Sequence, residues 1–344
     1  MKFPDSVEDE SKLEELLSLP SEGLVEMMKR IDGDIMILGI GGKMGITLGR
    51  QAVNAVRKAG GSKKIIGVSR FSDKDGRRKL SDCGIETVSC DLLDGEQVKK
   101  LPEVKNIIYM AGRKFGTSGA EAITWAMNTI IPAYVGQHFK RSRIVAFSTG
   151  CVYPLVGAET GGCSERINPE PVGEYAQSCL GRERVFEYCS QAFGTKVLNL
   201  RLNYAVDLRY GVLHDIGQKV WNNQPVSNTV GYFNVIWQGD ANCYAIRSLE
   251  HCASPAIPLN VTGPEIVSVK EVAEAMGGLM KRKVTYSGAG NGKCYLNDAS
   301  KAFNLFGRTL VPLGKMIEWQ ADWIMRGGGS LGKPTHFEVN DGKF

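Results

Sequence analysis

The sequence predicts an α/β protein: a doubly wound parallel sheet with a smaller C-terminal α/β part. Short apolar runs recur through residues 33–205, amphipathic stretches lie between most of them, and a glycine-rich turn joins the first run to the first stretch. Buried apolar strands alternating with helices imply a parallel sheet covered on both faces, because right-handed crossovers carry the helices there.

The elements follow in order. Residues 8–31 hold two amphipathic patterns, Leu13, Leu16, Leu17 and then Leu24, Met27, Met28, Ile31, divided by the breaker Leu19-Pro20-Ser21. They predict a helical N-terminal extension over 1–32. Residues 34–39 form an apolar run that ends in glycines and leads into helical spacing over 46–59. Further strands are expected at 64–68, 87–90, 106–110, 143–147 and 197–200. After about residue 205 the elements shorten and become rich in Gly, Asn and Pro, with loops at 207–211 and 222–231. The main run of sheet strands is expected to stop there. Residues 206–344 are read as mainly a substrate-binding cap and tail, with helices at 269–277 and 313–325 and some strands returning to the sheet.

Composition removes several function classes. Hydrophobic residues make up 43% and charged residues 23%, the range of globular rather than disordered chains. The net charge of +5 is spread along the chain, so no nucleic-acid partner is expected. No apolar run has bilayer length and residues 1–10 lack the apolar core of a leader, so a cytoplasmic protein with no membrane partner is expected. The nine cysteines include no CxxC pair and read as reduced thiols. Four histidines, far apart in sequence, argue for no metal site.

The turn Gly39-Ile40-Gly41-Gly42-Lys43-Met44-Gly45 directly follows a strand and opens a helix, the context that a dinucleotide fingerprint requires. Glycines let the backbone turn tightly and approach a pyrophosphate, while the helix N-terminus offers free N–H groups and positive dipole. Residues 33–205 are therefore read as an NAD(P)-binding domain of Rossmann type. Where the second strand ends, an acidic residue usually holds the ribose hydroxyls of NAD, but here the chain reads Val68-Ser69-Arg70. An arginine at that place favours the 2′-phosphate of NADP over NAD. Asp91 and Leu92, after the third strand, are expected at the adenine, with a helix cap as the plain alternative for Asp91.

Read together with Met110-Ala111-Gly112, Asn128, Phe147-Ser148-Thr149-Gly150-Cys151-Val152-Tyr153 and the approach Asn168-Pro169 to Tyr175, the loop resembles the extended short-chain dehydrogenase/reductases, the NAD-dependent epimerase/dehydratase family, over roughly residues 33–300. Gly39, Gly42 and Gly45 match its GxxGxxG spacing. The resemblance implies cofactor contacts at Ala111, Gly112 and Asn128. It makes Tyr175 the general acid or base, has Thr149, with Ser148, orient the substrate oxygen, and implies a sugar-type substrate and a homodimer. It also implies a lysine four residues after the tyrosine, and there the chain has Cys179.

Three readings follow from that change. Another cation takes over, Arg182 lying on nearly the same helix face; a neutral phenol suffices as hydrogen-bond donor; or the chain is a nucleotide-binding sensor or scaffold that has lost redox catalysis. Arg113, Arg201 and Asn203 are expected to meet substrate, as is Trp237, which offers an apolar face where the family has a His-Val-x-Asp segment. Arg201 and Trp237 also have the plain readings of a structural arginine and a core ring. The tail around residues 332–337 either folds over the cleft or lies on the surface.

Overall fold

The structure, a computed structural model, describes residues 3–72, 74–114, 119–290, 292–333 and 335–339. Seven strands build the central sheet: β1 Ile35–Leu38, β2 Ile65–Ser69, β3 Glu86–Ser89, β4 Asn106–Tyr109, β5 Arg143–Thr149, β6 Lys196–Leu202 and β7 Ile257–Val261. Their spatial order is β7-β6-β5-β4-β1-β2-β3, and every pairing is parallel. The order reverses between β1 and β4. In an open α/β sheet that reversal leaves a crevice beyond the carboxyl ends of the strands, where ligands bind.

Alternation within β1 serves both faces: Ile35 and Ile37 join one apolar core, Met36 and Leu38 the other. The helices Glu10–Leu17 and Glu22–Arg30 start at Asp9 and Ser21, whose side chains accept from Lys12 N and Leu24 N. The second of these helices packs into the sheet core through Leu24, Met27 and Met28, whereas the first contributes Leu13 and Leu17 to the C-terminal core. The N-terminal segment therefore ties the two parts together.

The strand β7 is the element that sequence patterning least exposed. It contains Pro258 and Asn260, residues that argue against an interior strand. As an edge strand it tolerates the missing N–H of proline. Asn260 is fully buried and uses its amide: Nδ2 donates to Cys163 O and Asp298 O, while Oδ1 accepts from Tyr153 Oη. On the C-terminal side, the helices Val212–Trp221, Val269–Met280 and Leu313–Met325 share a core with Trp237 and Trp319.

Candidate active site

The glycine loop leaves the carboxyl end of β1 at the switch point. Gly39 has φ +88°, and a Cβ there would stand 2.7 Å from Ala111 N, so the segment after β4 crosses directly against it. A Cβ on Gly45 would stand 2.2 Å from Ile40 O; the helix start closes onto the turn only because that atom is absent. A Cβ on Gly42 would meet nothing nearer than Gly39 O at 3.4 Å, and Gly42 faces the cleft. The helix Gly45–Lys58 has neither a capping side chain nor an acidic residue in its first turn. Its N–H groups and dipole are left for an anion. These residues fit a dinucleotide. Gly45→Ala is expected to weaken dinucleotide binding at least tenfold, about 1.4 kcal/mol, and to destabilise the fold by about 1–3 kcal/mol of overpacking; equilibrium dialysis and denaturant unfolding measure the two.

At the end of β2, Arg70 is exposed and Ser69 is half-buried, its Oγ 2.8 Å from where a Cβ on Gly41 would lie. Asp91 Oδ1 accepts from Leu93 N at 3.1 Å. The cap of the next helix, Gly95–Val98, is Asp94, not Asp91. Leu92 points into the apolar core and is buried, which corrects its reading as a cofactor contact: its side chain packs under the sheet rather than towards a ligand.

Beyond the loop lies a cleft of about 380 Å³. Its walls include the ends of β4 and β5, Tyr175 on the helix Gly173–Phe193, Tyr204 and Tyr210 from the segment after β6, and Lys333 and Thr335 from the tail. The charged residues lining it are Lys43, Arg113, Lys114, Arg182 and Lys333, with no carboxylate among the described lining residues. Lys43 rests over the Tyr210 ring, 3.8 Å from its centroid, and donates to Ala205 O at 3.4 Å. Burial there pushes its ammonium down to about 8, against the opposing pull of Asp207.

Ser148, Thr149 and Tyr175 meet in this cleft. The 149 hydroxyl accepts from Cys151 N at 3.2 Å and is hydrogen-bonded to Tyr175, which is also hydrogen-bonded to Cys179. Burial holds the Tyr175 phenol well above its ordinary value, and the neighbouring thiols Cys179 and Cys151 add to that; Arg182 and the bond to Thr149 oppose it. In this state Tyr175 carries its proton. Ser148 Oγ donates to Glu183 in a buried pair.

Four other expected site residues, three of them ligand contacts and Cys179 a catalytic candidate, are placed elsewhere. Arg201, paired in register with Ser148, forms a buried ion pair with Glu183, its Nη2 2.6 Å from Oε2, and its Nη1 donates to Tyr153 Oη. It is a structural arginine, because Glu183 and Tyr153 already take its donors. Trp237 is 2% exposed and packs 5.6 Å from the Trp319 ring, a core residue rather than a sugar platform. Asn128 is fully buried on a π-helical turn, Ala126–Ile130; it accepts from Arg113 N and from Arg182, and donates to Ser178 Oγ. It braces the strand-end segment instead of lining the cleft. Cys179 is buried beside Tyr175 and does not line the cleft either.

Arg113 and Asn203 do line it, though the Asn203 amide donates to Asn234 Oδ1 and Tyr295 O. Sequence reading missed Glu183, Lys114 and Tyr210. Only the charged pair Arg182-Glu183, within a helix that packs on the sheet, signalled a buried polar site. The tail is tied down: Thr335 N and Oγ1 both donate to Asp215 Oδ2, and Phe337 packs against Phe233. Of its two readings, the one that folds over the cleft is the one observed, because Asp215 and the apolar pocket around Phe233 hold it. Among the described residues no three metal-ligating side chains cluster, and no helix is long and apolar enough to cross a membrane.

The profile of the NAD dependent epimerase/dehydratase family matches residues 35–206, from β1 through the segment after β6. The chain belongs to this family. Solved structures share its fold over most of the chain. A UDP-glucuronic acid 4-epimerase from Bacillus cereus in complex with NAD is 16% identical, with a TM-score of 0.69 over 85% of this chain and 99% of that one. A UDP-glucose 4-epimerase from Thermus thermophilus, also in complex with NAD, is 17% identical, with a TM-score of 0.67 over 84% and 98%. A dTDP-glucose 4,6-dehydratase from Bacillus anthracis in complex with NAD is 16% identical, with a TM-score of 0.69 over 85% and 96%. No curated protein sequence matches significantly.

Proposed function

We propose that this family member is an NAD(P)-dependent enzyme that oxidises, reduces or epimerises a carbinol carbon of a sugar or sugar derivative. The observation that carries the proposal is the convergence of the glycine loop, Thr149 and Tyr175 on one cleft. Gly39 to Gly45 and the helix start hold the pyrophosphate; bound there, the nicotinamide supplies hydride acceptance and return. Thr149 orients the substrate oxygen and Tyr175 exchanges the hydroxyl proton with it. The tail residues Lys333 and Thr335 line the substrate side of the cleft. The test is to purify the full chain, identify the co-purifying nucleotide by mass spectrometry, and assay reduced-cofactor formation across UDP- and dTDP-sugars. An absence of both bound nucleotide and turnover sinks the proposal.

The cofactor is proposed to be NADP. Arg70 stands exposed at the end of β2, and Arg77 lies 5.5 Å from the Phe71 ring just beyond it. Arg70→Gln is expected to weaken NADP about tenfold or more, the worth of a charge-assisted bond to phosphate, and to leave NAD unchanged by isothermal titration. Equal losses for both cofactors contradict the preference.

A homodimer is proposed as well, through the helices on either side of β5. Ile123, Ile130 and Tyr188 stand exposed on them, apolar surface that a second copy covers. Sedimentation should give a dimer mass, and Ile130→Glu a monomer.

The buried thiol at 179 favours one second reading, a nucleotide sensor without chemistry. Nucleotide binding with no cofactor reduction on any sugar supports that reading.

A further inference from the structure

Arg182 is buried, 6% exposed, and no carboxylate lies within ion-pair distance of it among the described residues. Its neighbour Glu183 turns instead to Arg201 and Ser148. Arg182 Nη1 donates to Phe147 O at 2.6 Å, Nη2 donates to Asn128 Oδ1, and Nε has no hydrogen-bond partner among the described residues. A buried cation without a counter-ion is costly in a folded chain, so its retention asks for an anion that forms during function.

The surroundings are built to hold that guanidinium in place. A Cβ at Gly112 would stand 2.2 Å from Arg182 Nη2, so glycine keeps the space open. Asn128, which receives Nη2, is itself fixed by the Arg113 backbone and Ser178. Long helical side chains lean towards the helix N-terminus. From position 182 that direction runs over Cys179 to Tyr175, and the charge acts on both. Arg182 and Tyr175 line the same cleft.

We propose that Arg182 supplies the positive charge that stabilises the Tyr175 oxygen when it gives up its proton, in place of the lysine that Cys179 displaces. The role rests on the acid/base reading of Tyr175 given above, and it makes Arg182 a positioning residue that acts through the phenol. The groups facing Tyr175 are Thr149 and Cys151 from the end of β5 and the turn after it, and Cys179 and Arg182 from its own helix. Tyr109 from β4 also faces the guanidinium, 5.7 Å from its ring centroid. Arg182 is the buried cation of the helix that carries Tyr175, and Lys43, Arg113, Lys114 and Lys333 also line the cleft.

The test replaces Tyr175 with 3,5-difluorotyrosine in the full chain and follows its ionisation by fluorine NMR against pH, with circular dichroism as the fold check. Arg182→Gln should raise the midpoint by about one unit or more, tenfold in the ionisation constant. Arg182→Lys, which keeps the charge, should move it less than half as far. Asn128→Asp, which pairs the guanidinium with a carboxylate, should move it upwards too and serves if the Gln variant does not fold. An unmoved midpoint in the folded variants, or an equal shift for Lys and Gln, overturns the proposal. A shift without sugar turnover removes the enzymatic reading and leaves the Arg182 inference standing.

Discussion

Replacing Tyr175 by Phe is expected to lower kcat at least a thousandfold on any sugar the protein turns over, while the affinity for NADP changes less than threefold. Removing a positioned general acid or base typically costs about 10²–10⁴ in rate. The upper part of that range applies because the described residues lining the cleft include no carboxylate or histidine to take over. The ring packs against the cluster of Val152, Tyr153, Cys163 and Cys179, so removing one oxygen leaves packing nearly intact, and the Thr149 hydroxyl keeps its bond from Cys151 N. The glycine loop at the end of β1 lines the same cleft, but none of its backbone atoms depends on the phenol oxygen for its position. Steady-state kinetics and cofactor titration on one preparation check both halves. Undiminished turnover eliminates Tyr175 as the acid/base.

The largest effect on stability is expected at the ion pair behind the site. The side chains of Arg201 and Glu183 are 4% and 1% exposed. The pair ties β6 to the helix Gly173–Phe193, and Ser148 and Tyr153 complete its hydrogen bonds. Arg201→Met leaves the carboxylate of Glu183 buried with one hydroxyl partner, which costs about 3–5 kcal/mol. Denaturant unfolding should show a lower midpoint at unchanged slope. The double variant Arg201→Met with Glu183→Met is expected to recover part of that loss, since replacing a whole buried pair is often near neutral. A loss below about 1 kcal/mol for the single variant would place the pair with exposed salt bridges and contradict the buried geometry. The Met variant should also change turnover, because Ser148 loses its fixed acceptor geometry.

Strand and helix positions were legible wherever one physical pattern dominated. β1, β2, β4 and β5 are short, apolar and bounded by turn residues, and buried parallel strands carry that signature. β7 was hidden because its polar residue Asn260 gains its partners from Tyr153, Cys163 and Asp298, all distant in sequence, and Pro258 is tolerated only because the strand lies at the sheet edge. The same contrast runs through the site. Gly39, Gly42 and Gly45 declare themselves by spacing, since each answers to the local backbone. Arg201, Asn128 and Trp237 are residue types that serve equally as ligand contacts or as internal braces, and their side-chain partners decide between the two.

By itself the sequence determined the alternating α/β plan, the nucleotide loop, the tyrosine at the end of its Pro- and Gly-rich approach, and the absence of a lysine four residues later. These are properties of local pattern: periodicity, backbone freedom and spacing along one helix. The tertiary structure alone decided that Arg182 and Tyr175 line one cleft, that Glu183 answers Arg201 and leaves Arg182 without an ion-pair partner among the described residues, and that the tail lines the cleft as well. Those outcomes depend on how burial distributes a few charges among strands and helices far apart in the chain, and no window of sequence contains both partners.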